Sequence, residues 1–365
     1  MVTIGAEALR DLVRDIFIKA GLSRAEGERL AKSLVSANLT GHDSHGVVRV
    51  PRYLDWKTDG TFVADQRVKV LRETPVLAVV DGQYGFGQTV APQAVEIGIE
   101  KCRAMGLSGI ALRNAGHVGR VGEWAEMAAE AGLVSVHFVN AASSLLVAPF
   151  GGIDRRMSTA PFAIGIPRPD DEPLILDFAT SIVAEGKVLV ASQGGKKLPE
   201  SALVGPDGTV SGDPRLLYGH YLPAGPRDYR AGKGAIRAFG EHKGSGLAFM
   251  VEVLGGSLTG TGAAQEGRRW ANGMLSFYVD PKQLDLDDFF PADVGHYVAF
   301  FKSARPIEAG GEVLVPGEPE MRVRKKRLAE GIPLPDETWT SLVAAARKTG
   351  LDEQRIQAAR AVTSP

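Results

Sequence analysis

The chain has 365 residues, of which 44% are hydrophobic and 23% are charged; this excludes a disordered protein and predicts two or three folded lobes. Lysine and arginine total 42 against 43 acidic residues, so no charge excess favours a nucleic-acid partner or an anionic membrane. The one cysteine, Cys102, excludes an intrachain disulfide and a cysteine-based zinc site, and it fits a reducing cytoplasm.

The N-terminal segment, residues 5–40, is predicted to be helical. Acidic residues interrupt its apolar positions, so it resembles neither a signal peptide nor a membrane span. Ser23 and Glu26 have the S-x-x-E spacing of a capping box, which predicts that the second helix begins there. A polar segment, residues 42–46 (HDSHG), follows this helix.

Strands and helices alternate from about residue 74 to residue 180. The predicted strands cover 76–80, 109–112, 133–139, 163–166 and 174–178, and the predicted helices cover 92–105 and 123–131. This alternation is typical of an α/β layer architecture. We therefore expect a mixed sheet with helices packed on it.

The pattern changes in the second half of the chain. Residues 199–240 are rich in Gly, Pro and Asp and are predicted to form a long irregular excursion. Helices are predicted at 246–254, 293–303, 335–348 and 352–361, and a strand at 275–279. Because chain ends often lie close together, we expect the two helical ends to pack on each other. This gives a helical domain of residues 1–72 with 300–365, beside a mixed α/β domain of residues 73–299.

The familiar signatures of nucleotide sites are absent from the sequence. Gly85-Phe86-Gly87 lacks the third glycine of the Rossmann fingerprint, and there is neither a P-loop nor a G-x-S-x-G motif. The basic run at residues 322–327 is interpreted as a solvated helix face rather than a phosphate-binding patch. From these motifs alone, a Rossmann dehydrogenase is not predicted.

The first chemical candidate is the HDSHG segment together with Arg49. Histidine is suited to proton transfer near neutral pH, and the arginine fork binds a carboxylate through two charge-assisted hydrogen bonds. His45 and Arg49 could therefore hold a 2-hydroxy acid by both ends. Two alternatives stay open, namely a polar turn that caps the next segment and a metal site built from His42, Asp43 and His45.

The second candidate is the segment 114–120 (NAGHVGR), which contains His117. It lies between a predicted strand and a predicted helix, where α/β proteins place ligand contacts and where helix N–H groups favour an anion. A structural cap is the alternative for a single histidine at this place. Paired with His45 across a cleft, His117 would gain a chemical role.

Three further polar turns are candidates for holding a cofactor. Residues 177–181 (DFATS) follow a strand, although helix capping explains them equally well. Residues 240–246 form a Gly-rich turn with one lysine before a helix, which suits a diphosphate; a flexible loop is the alternative. Residues 315–318 (VPGE) form a turn in which Glu318 could accept hydrogen bonds from ribose hydroxyls.

Taken together and in this order, these segments resemble the type 2, non-Rossmann malate/L-lactate dehydrogenase family. The matching stretches are GHDSHGVVRVPRY (41–53), GHVGRVGEWAE (116–126), DFATS (177–181), EHKGSGLAFMVEVLGGSLTG (241–260), VPGEPE (315–320) and GIPLPDETW (331–339). Within the family, SANLTGHDSHG and GEHKG are most similar to the hydroxycarboxylate dehydrogenase branch, which reduces 2-oxo acids such as aryl pyruvates.

The resemblance implies a fold with its own NAD(P)-binding sheet, a cytoplasmic homodimer, and the interconversion of a small 2-hydroxy acid and its 2-oxo acid. NAD is favoured over NADP, and no metal is expected. The helical domain would bind the substrate and form the dimer. His45, with Ser44, would handle the substrate proton, Arg49 would bind the substrate carboxylate or the cofactor, and His117 would be a second acid/base or orienting group. The implied cofactor contacts are Arg120, Ser158, Thr159, Asp177, Phe178, Ala179, Thr180, Lys187, His242, Lys243, Gly244, Pro316, Gly317 and Glu318.

Three departures from the family pattern bear on the site. Ala160 stands where the family often has Asn in G-T-N-P, which removes one amide hydrogen bond. Ser245 stands where the family has a tyrosine in K-G-Y-G. The segment 217–237 is longer than usual and is expected to reshape the pocket rim.

Three other functions are weighed against the 2-hydroxy acid dehydrogenase. A cyclic imine reductase of the same family tends to carry Asp in an R-G-D-like stretch after A-T-S, where this chain has Glu185-Gly186-Lys187, so the dehydrogenase is favoured. The others are a metal-dependent hydrolase using His42, Asp43, His45 and His117, and a ligand-binding protein without catalysis. Binding of a nicotinamide cofactor would distinguish the dehydrogenase and the imine reductase from the hydrolase and the ligand-binding protein.

Overall fold

The computed structural model describes residues 1–169, 171–192, 194, 196–222 and 227–361. Its α-helices are α1 Ala6–Lys19, α2 Arg24–Leu39, α3 Val50–Thr58, α4 Gly87–Met105, α5 Gly122–Glu130, α6 Glu185–Ser192, α7 Arg215–Tyr218, α8 Glu241–Val251, α9 Phe289–Lys302, α10 Glu318–Glu330, α11 Asp336–Lys348 and α12 Glu353–Ala361. Its strands are β1 Val2–Ile4, β2 Lys69–Glu73, β3 Leu77–Asp81, β4 Leu107–Ala115, β5 Val134–Ala141, β6 Val147–Ala148, β7 Pro161–Ile166, β8 Leu174–Ala179, β9 Leu203–Val204, β10 Val210–Ser211, β11 Ala235–Arg237, β12 Asn272–Val279 and β13 Ile332–Leu334.

A mixed sheet is the centre of the molecule. Seven of the described strands form it in the order β2-β3-β4-β12-β5-β7-β8. Only the β3–β4 pair is parallel, and β12 lies antiparallel to both of its neighbours. Because side chains alternate along a strand, Val139 packs into the core shared with α4 and α5, and Asn140 faces the opposite side. The predicted α/β class is confirmed.

A π-helical segment, Glu252–Leu258, continues α8 on that opposite side of the sheet. It packs closely on β5, because a Cβ added at Gly255 would lie 2.8 Å from the Phe138 carbonyl oxygen. The buried Glu252 carboxylate accepts hydrogen bonds from Asn140 Nδ2, at 3.1 Å, and from the Ser158 N–H, at 2.7 Å. Such π-helical insertions are frequent at functional sites.

The predicted irregular excursion contributes three strands to a small sheet that β6 completes, so that prediction is wrong in part. Four of the described strands pair in the order β10-β9-β11-β6. The Arg155 guanidinium donates to carbonyl oxygens of Tyr229, Gly232 and Gly234 at 2.6–2.8 Å. These strands have two or three residues each, which is too short for a visible alternation. Residues 223–226 of the excursion lie outside the described residues.

The two ends of the chain share one hydrophobic core, as predicted. β1 pairs with β13, and Phe17 and Leu30 pack in the same cluster as Trp339 and Ile356. The Ser23 side chain accepts from the Glu26 N–H, which confirms the predicted helix start. The Glu26 side chain does not complete the capping box, because it bonds Thr89 and the Asp65 N–H instead.

Element boundaries differ from prediction where turns and helices meet. Helix α8 begins at Glu241 instead of residue 246, because Gly240 and Glu241 enter it through left-handed backbone (φ 55° for both) that resembles a loop in sequence. Helix α4 begins at Gly87, five residues before the predicted start, and Pro92 lies inside it. Strands β1, β2 and β13 were not predicted. No helix within the described part of the chain is long and apolar enough to cross a membrane.

Candidate active site

The fold brings together two histidines that are 72 positions apart in sequence. His45 ends the short 3-10 turn Asp43–His45, and His117 follows strand β4. Their rings stack with centroids 5.5 Å apart and planes inclined by 11°. The pairing of His45 and His117 that the sequence left open is therefore seen in the structure.

A chain of neutral hydrogen bonds holds His117. Gln88 Nε2 donates to the Tyr53 hydroxyl oxygen at 2.8 Å, and this hydroxyl lies 2.7 Å from His117 Nδ1. Burial, with a smaller contribution from the Arg49 charge, lowers the pKa of His117 to about 3. His117 is therefore a neutral imidazole at physiological pH.

His45 lies in a rigid turn with Ser44 beside it. Ser44 Oγ is 3.2 Å from His45 Nδ1. The turn packs on α2 so closely that a Cβ at Gly46 would lie 2.2 Å from Asn38 Oδ1, and therefore only glycine fits there. Burial, followed by the charges of His117 and Arg49, holds the pKa of His45 well below its usual range, so the ring is neutral and available as a proton acceptor.

Arg49 is tied to the same turn and to α6. Its Nε donates to the Ser44 carbonyl oxygen at 2.6 Å, and its Nη2 is 3.8 Å from Glu185 Oε2. Tyr218 donates its hydroxyl hydrogen to Glu185 Oε1 at 2.6 Å. Helix α6 approaches closely, since a Cβ at Gly186 would lie 2.3 Å from Ser44 Cβ. Arg49 thus has an acidic neighbour at the place where the imine reductase branch tends to carry Asp.

Helix α10 anchors the turn from outside through ion pairs. Arg327 donates from both terminal nitrogens to the Asp43 carboxylate, at 2.6 and 3.0 Å, and also to the Asn38 carbonyl oxygen. His42 Nε2 lies 3.6 Å from Glu320 Oε1, and this contact lowers the pKa of Glu320. The interpretation of the basic run as a solvated face is wrong for Arg327, because this side chain reaches across to α2 and is largely buried.

The proposed metal ligands are not brought together. Asp43 is engaged by Arg327 and His42 faces Glu320, whereas His45 faces Ser44 and His117. Among the residues that the structure describes, no group of three or more His, Cys, Asp or Glu side chains could hold a metal ion.

Most of the candidate cofactor contacts lie along β8, an edge strand of the large sheet. The Pro316 carbonyl accepts from the Ile175 N–H at 3.3 Å. Asp177 Oδ2 accepts from the Gly122 N–H at 2.7 Å, at the start of α5. Thr180 donates its hydroxyl hydrogen to the Ala160 carbonyl at 2.8 Å. The segments at 120, 158–159, 177–180 and 316–318 are therefore neighbours.

Several of these side chains are committed to the protein itself. Arg120 is buried and pairs with Glu126 at 2.5 Å. Ser158 is buried, and its hydroxyl accepts from the Ala160 N–H at 3.1 Å. The Phe178 ring packs against Phe162 and Phe239. Any contact from these residues to a cofactor would come from their backbone or from the surface that they shape.

Glu318 is also engaged, but at the surface. Its carboxylate accepts from Lys302 at 2.8 Å, from Arg322 at 2.7 Å and from the Val315 N–H at 3.3 Å. These hydrogen bonds, that from Lys302 first, lower the pKa of Glu318 to about 2. Gly317, with φ 90°, makes the turn that precedes it. Glu318, the first residue of α10, is therefore an ionised carboxylate at physiological pH.

The start of α8 carries the residues that the sequence suggested for a diphosphate. His242 and Lys243 are exposed in its first turn, and Lys187 is exposed on α6. Gly244 packs directly against Phe239, since a Cβ there would lie 1.7 Å from the Phe239 carbonyl oxygen. A helix N-terminus with an exposed lysine fits the diphosphate of a dinucleotide, and the edge of β8 lies beside it through Phe239 and Thr180.

The three departures from the family pattern have structural counterparts. Ala160 is buried with φ 31°, a backbone conformation that Asn adopts more readily than Ala. The Ser245 hydroxyl accepts from the Phe150 N–H at 2.9 Å and so fixes the neighbouring loop. The described part of residues 217–237 packs around Arg155.

Sequence reasoning missed four residues near the histidines. Tyr53 lies four positions after Arg49 within the stretch that resembled the family, so it could have been found. Gln88, Tyr218 and Trp270 gave no local signal, because each reaches the site from a distant element. The Trp270 ring lies 6.0 Å from the His117 ring, between centroids.

Comparison with known proteins identifies the family. The family model for malate/L-lactate dehydrogenase matches residues 4–343. Hydroxycarboxylate dehydrogenase B of Escherichia coli K12 is 35% identical over 97% of this chain and 96% of its own length. L-sulfolactate dehydrogenase of Methanothermobacter thermautotrophicus is 32% identical over 93% and 95% of the two chains. The structure of malate dehydrogenase from Pyrococcus horikoshii superposes with a TM-score of 0.82 at 27% identity, covering 96% of both chains.

Proposed function

Because this chain belongs to the malate/L-lactate dehydrogenase family and is a 2-hydroxy acid dehydrogenase, we propose that His45 is its acid/base and Arg49 its substrate anchor. The observation that carries the assignment is the stacking of His45 on His117 in one cleft beside Arg49. In oxidation, His45 accepts the proton of the substrate hydroxyl. In reduction, it returns that proton to the oxygen of the 2-oxo acid.

The nicotinamide cofactor, when bound, accepts or supplies the hydride at the substrate carbon. This chain's own residues orient the substrate. Arg49 binds its carboxylate through the nitrogens that the Ser44 carbonyl leaves free, and the Glu185 carboxylate, shared with Tyr218, fixes the direction of the guanidinium. The Trp270 ring lies beside His117 and contributes an apolar surface to the site.

The cofactor is held along β8 and at the start of α8 in this proposal. Lys243 and the first N–H groups of α8 bind the diphosphate, and residues 316–318 lie at the ribose. NAD is favoured over NADP because the two cations nearest Glu318 are already paired: Lys302 with Glu318, and Arg322 with Glu312 and Glu318. A 2′-phosphate would find no unpaired cation in this cluster.

The experiment is a screen of NADH and NADPH oxidation with a panel of 2-oxo acids and with a cyclic 2-carboxy imine. We expect 2-oxo acids to be reduced with NADH and the imine to be a poorer substrate. Faster reduction of the imine would favour the imine reductase, and binding of neither nucleotide in a fluorescence titration would overturn the proposal.

Variants of Lys243 test the cofactor site separately. Lys243→Ala should raise the KM for the cofactor more than it lowers turnover, because a diphosphate contact is largely uniform binding. Lys325→Ala, an exposed lysine on α10, is the matched control and should change neither constant. A collapse of turnover at saturating cofactor would place Lys243 in the chemistry instead.

We expect catalysis to need no metal. The reason is that His42 and Asp43 are held by Glu320 and Arg327, so the candidate ligands of the hydrolase alternative are engaged elsewhere. Dialysis against a chelator should leave turnover unchanged. Loss of activity that zinc or manganese restores would favour the hydrolase.

The protein is proposed to be a cytoplasmic homodimer with α9 in the interface. Phe289, Tyr297 and Phe300 on this helix are 65%, 61% and 74% exposed, and apolar surface of this extent favours a partner surface. The buried free thiol of Cys102 suits a reducing compartment. Light scattering should give a dimer that Phe300→Asp dissociates, while Leu328→Asp on α10 serves as the control.

A further inference from the structure

Gln88, Tyr53 and His117 form one hydrogen-bonded chain that ends at the substrate cleft. We propose that Gln88 and Tyr53 are positioning residues that hold His117 in the tautomer protonated at Nε2, so that His117 donates a hydrogen bond to the substrate oxygen and leaves the proton transfer to His45. This inference rests on the proposed function and divides its chemistry between the two histidines.

The direction of the chain follows from counting hydrogens. Gln88 Nε2 donates to the Tyr53 oxygen at 2.8 Å. A phenol has one hydrogen, and the other near neighbour of this oxygen is His117 Nδ1 at 2.7 Å. Tyr53 therefore donates its hydrogen to Nδ1, which must offer a lone pair. A neutral imidazole with a lone pair on Nδ1 has its proton on Nε2.

The orientation of the Gln88 amide decides this direction, and burial favours the one described. Gln88 Oε1 has no hydrogen-bond partner among the described residues. A rotated amide would place its NH₂ group where this oxygen lies, leaving two N–H donors unpaired in place of one N–H donor and one acceptor. Gln88 is only 2% exposed, so water does not satisfy such donors, and a buried unpaired N–H costs more than an unpaired carbonyl.

The backbone around His117 is fixed as tightly as its side chain. A Cβ added at Gly87 would lie 2.2 Å from the His117 carbonyl oxygen, and the Gly116 N–H donates to the Gly85 carbonyl at 2.7 Å. The Nδ1 side of the ring faces fully buried Tyr53, whereas the residue as a whole stays partly exposed. The Nε2 edge is therefore the one left free for a substrate, while His45 stacks beside the ring face.

The same chain cannot carry a proton out of the cleft. For His117 to give up its Nε2 proton, Nδ1 would have to take the Tyr53 hydrogen and leave a tyrosinate. Burial raises the pKa of Tyr53, which opposes this. Burial also lowers the pKa of His117 to about 3, so the imidazolium is equally unfavourable. His117 remains a fixed donor in both directions of the reaction.

The test reads the tautomer directly. The full-length enzyme, labelled with ¹⁵N at histidine, is examined by two-bond ¹H–¹⁵N correlation, and the His117 signals are those that a His117→Asn variant lacks. We expect a protonated Nε2 and an unprotonated Nδ1 in the wild type. A protonated Nδ1 in the wild type would overturn the proposal, whatever the turnover assays show.

Two variants then break the chain, with a matched control. Tyr53→Phe and Gln88→Met should each mix the His117 tautomers and lower turnover roughly tenfold, the scale of one hydrogen bond, while the KM for the cofactor stays unchanged. Gln93→Met is the control, since the Gln93 amide on the same helix bonds only backbone groups; it should alter neither. If Tyr53→Phe fails to fold, Gln88→Met decides alone.

Unchanged tautomer and turnover in Gln88→Met would overturn the positioning role. Failure of the proposed function is recognised separately, because the tautomer is measured without substrate or cofactor. An enzyme that oxidises no nicotinamide cofactor but shows the Nε2-protonated ring would contradict the dehydrogenase site and leave the hydrogen-bonded chain established.

Discussion

The two histidines of the cleft lie 5.5 Å apart and are held by opposite kinds of contact. The turn that carries His45 is tied to its surroundings by ion pairs, above all between Arg327 and Asp43. His117 is tied by neutral groups, Tyr53 and Gln88, inside a close-packed shell. Charged contacts at a surface are weakened by salt and solvent, whereas a buried neutral chain is not.

This difference suits two different tasks. A proton acceptor must respond to a changing charge, and the turn that carries His45 lies among charged side chains such as Arg49 and Asp43. A hydrogen-bond donor must keep one direction, and a dry neutral network gives that. The variants below are expected to separate these two sides of the cleft.

The largest expected effect is on turnover when the acceptor is removed. His45→Ala should lower kcat by roughly 10²–10⁴-fold, the usual scale of general acid–base catalysis, and should abolish the acid limb of oxidative kcat/KM. Because burial depresses the pKa of His45, that limb should lie well below pH 6.5 in the wild type. The acid limb should remain in His117→Ala. Near-normal turnover of His45→Ala beside an inactive His117→Ala would reverse the assignment.

The neutral surroundings of His117 should affect how the free energy of unfolding depends on pH. His117 has a folded-state pKa of about 3, below its unfolded value, so the unfolded state binds the proton first. Its stabilising contribution is present above about pH 6.5 and is lost as the pH falls toward 3. Urea unfolding should show that His117→Asn removes about 1.4 kcal/mol per pH unit from the slope below about pH 5.5. An unchanged slope would mean that His117 accepts protons freely.

Substitution of Arg49 should show whether substrate binding needs the two-pronged guanidinium or only its positive charge. Arg49→Lys keeps the charge but loses two-pronged binding and the bond to the Ser44 carbonyl. We expect the KM for the 2-oxo acid to rise about tenfold, the cost of one such interaction, with a smaller change in kcat. A rise in the KM of the cofactor alone would assign Arg49 to the cofactor instead.

The smallest effect is expected from removing the Arg327–Asp43 ion pair, which holds the turn of His45 from outside. Arg327→Met removes the ion pair with Asp43, whose side chain is 41% exposed, so the loss of unfolding free energy should be only about 1 kcal/mol. Lys325→Met is the control on the same helix and should have no effect. Added salt should narrow the difference in unfolding free energy between the wild type and Arg327→Met, and it should leave the difference between the wild type and Gln88→Met unchanged. The opposite response would contradict the division into a charged and a neutral side.

The sequence predicted the fold class and the linear motifs because both are local patterns. Short apolar runs between predicted helices identified strands β4 and β5, and the S-x-x-E spacing located the start of α2. The HDSHG segment and His117 stood out because their residue types are unusual at such turns. The family resemblance joined these motifs into one site before their distance was known.

What the sequence could not predict depends on contacts between distant segments. The hydrogen bond from Gln88 to Tyr53 joins α4 to α3, and Arg327 reaches the turn at Asp43 from the other end of the chain. The small strands β9 to β11 are too short for any period to be read. The left-handed entry to α8 looks like a loop because Gly240 precedes it.

Strand β12 has a consequence for how the protein is made. It lies in the middle of the large sheet between β4 and β5, but it is synthesised long after both. Until residue 279 has left the ribosome, these two strands present unpaired edges, which are sites of aggregation. The hydrophobic core that the two chain ends share is completed later still, because β1 pairs with β13. The large sheet therefore cannot be completed before β12 has been made, and such non-local pairing folds slowly.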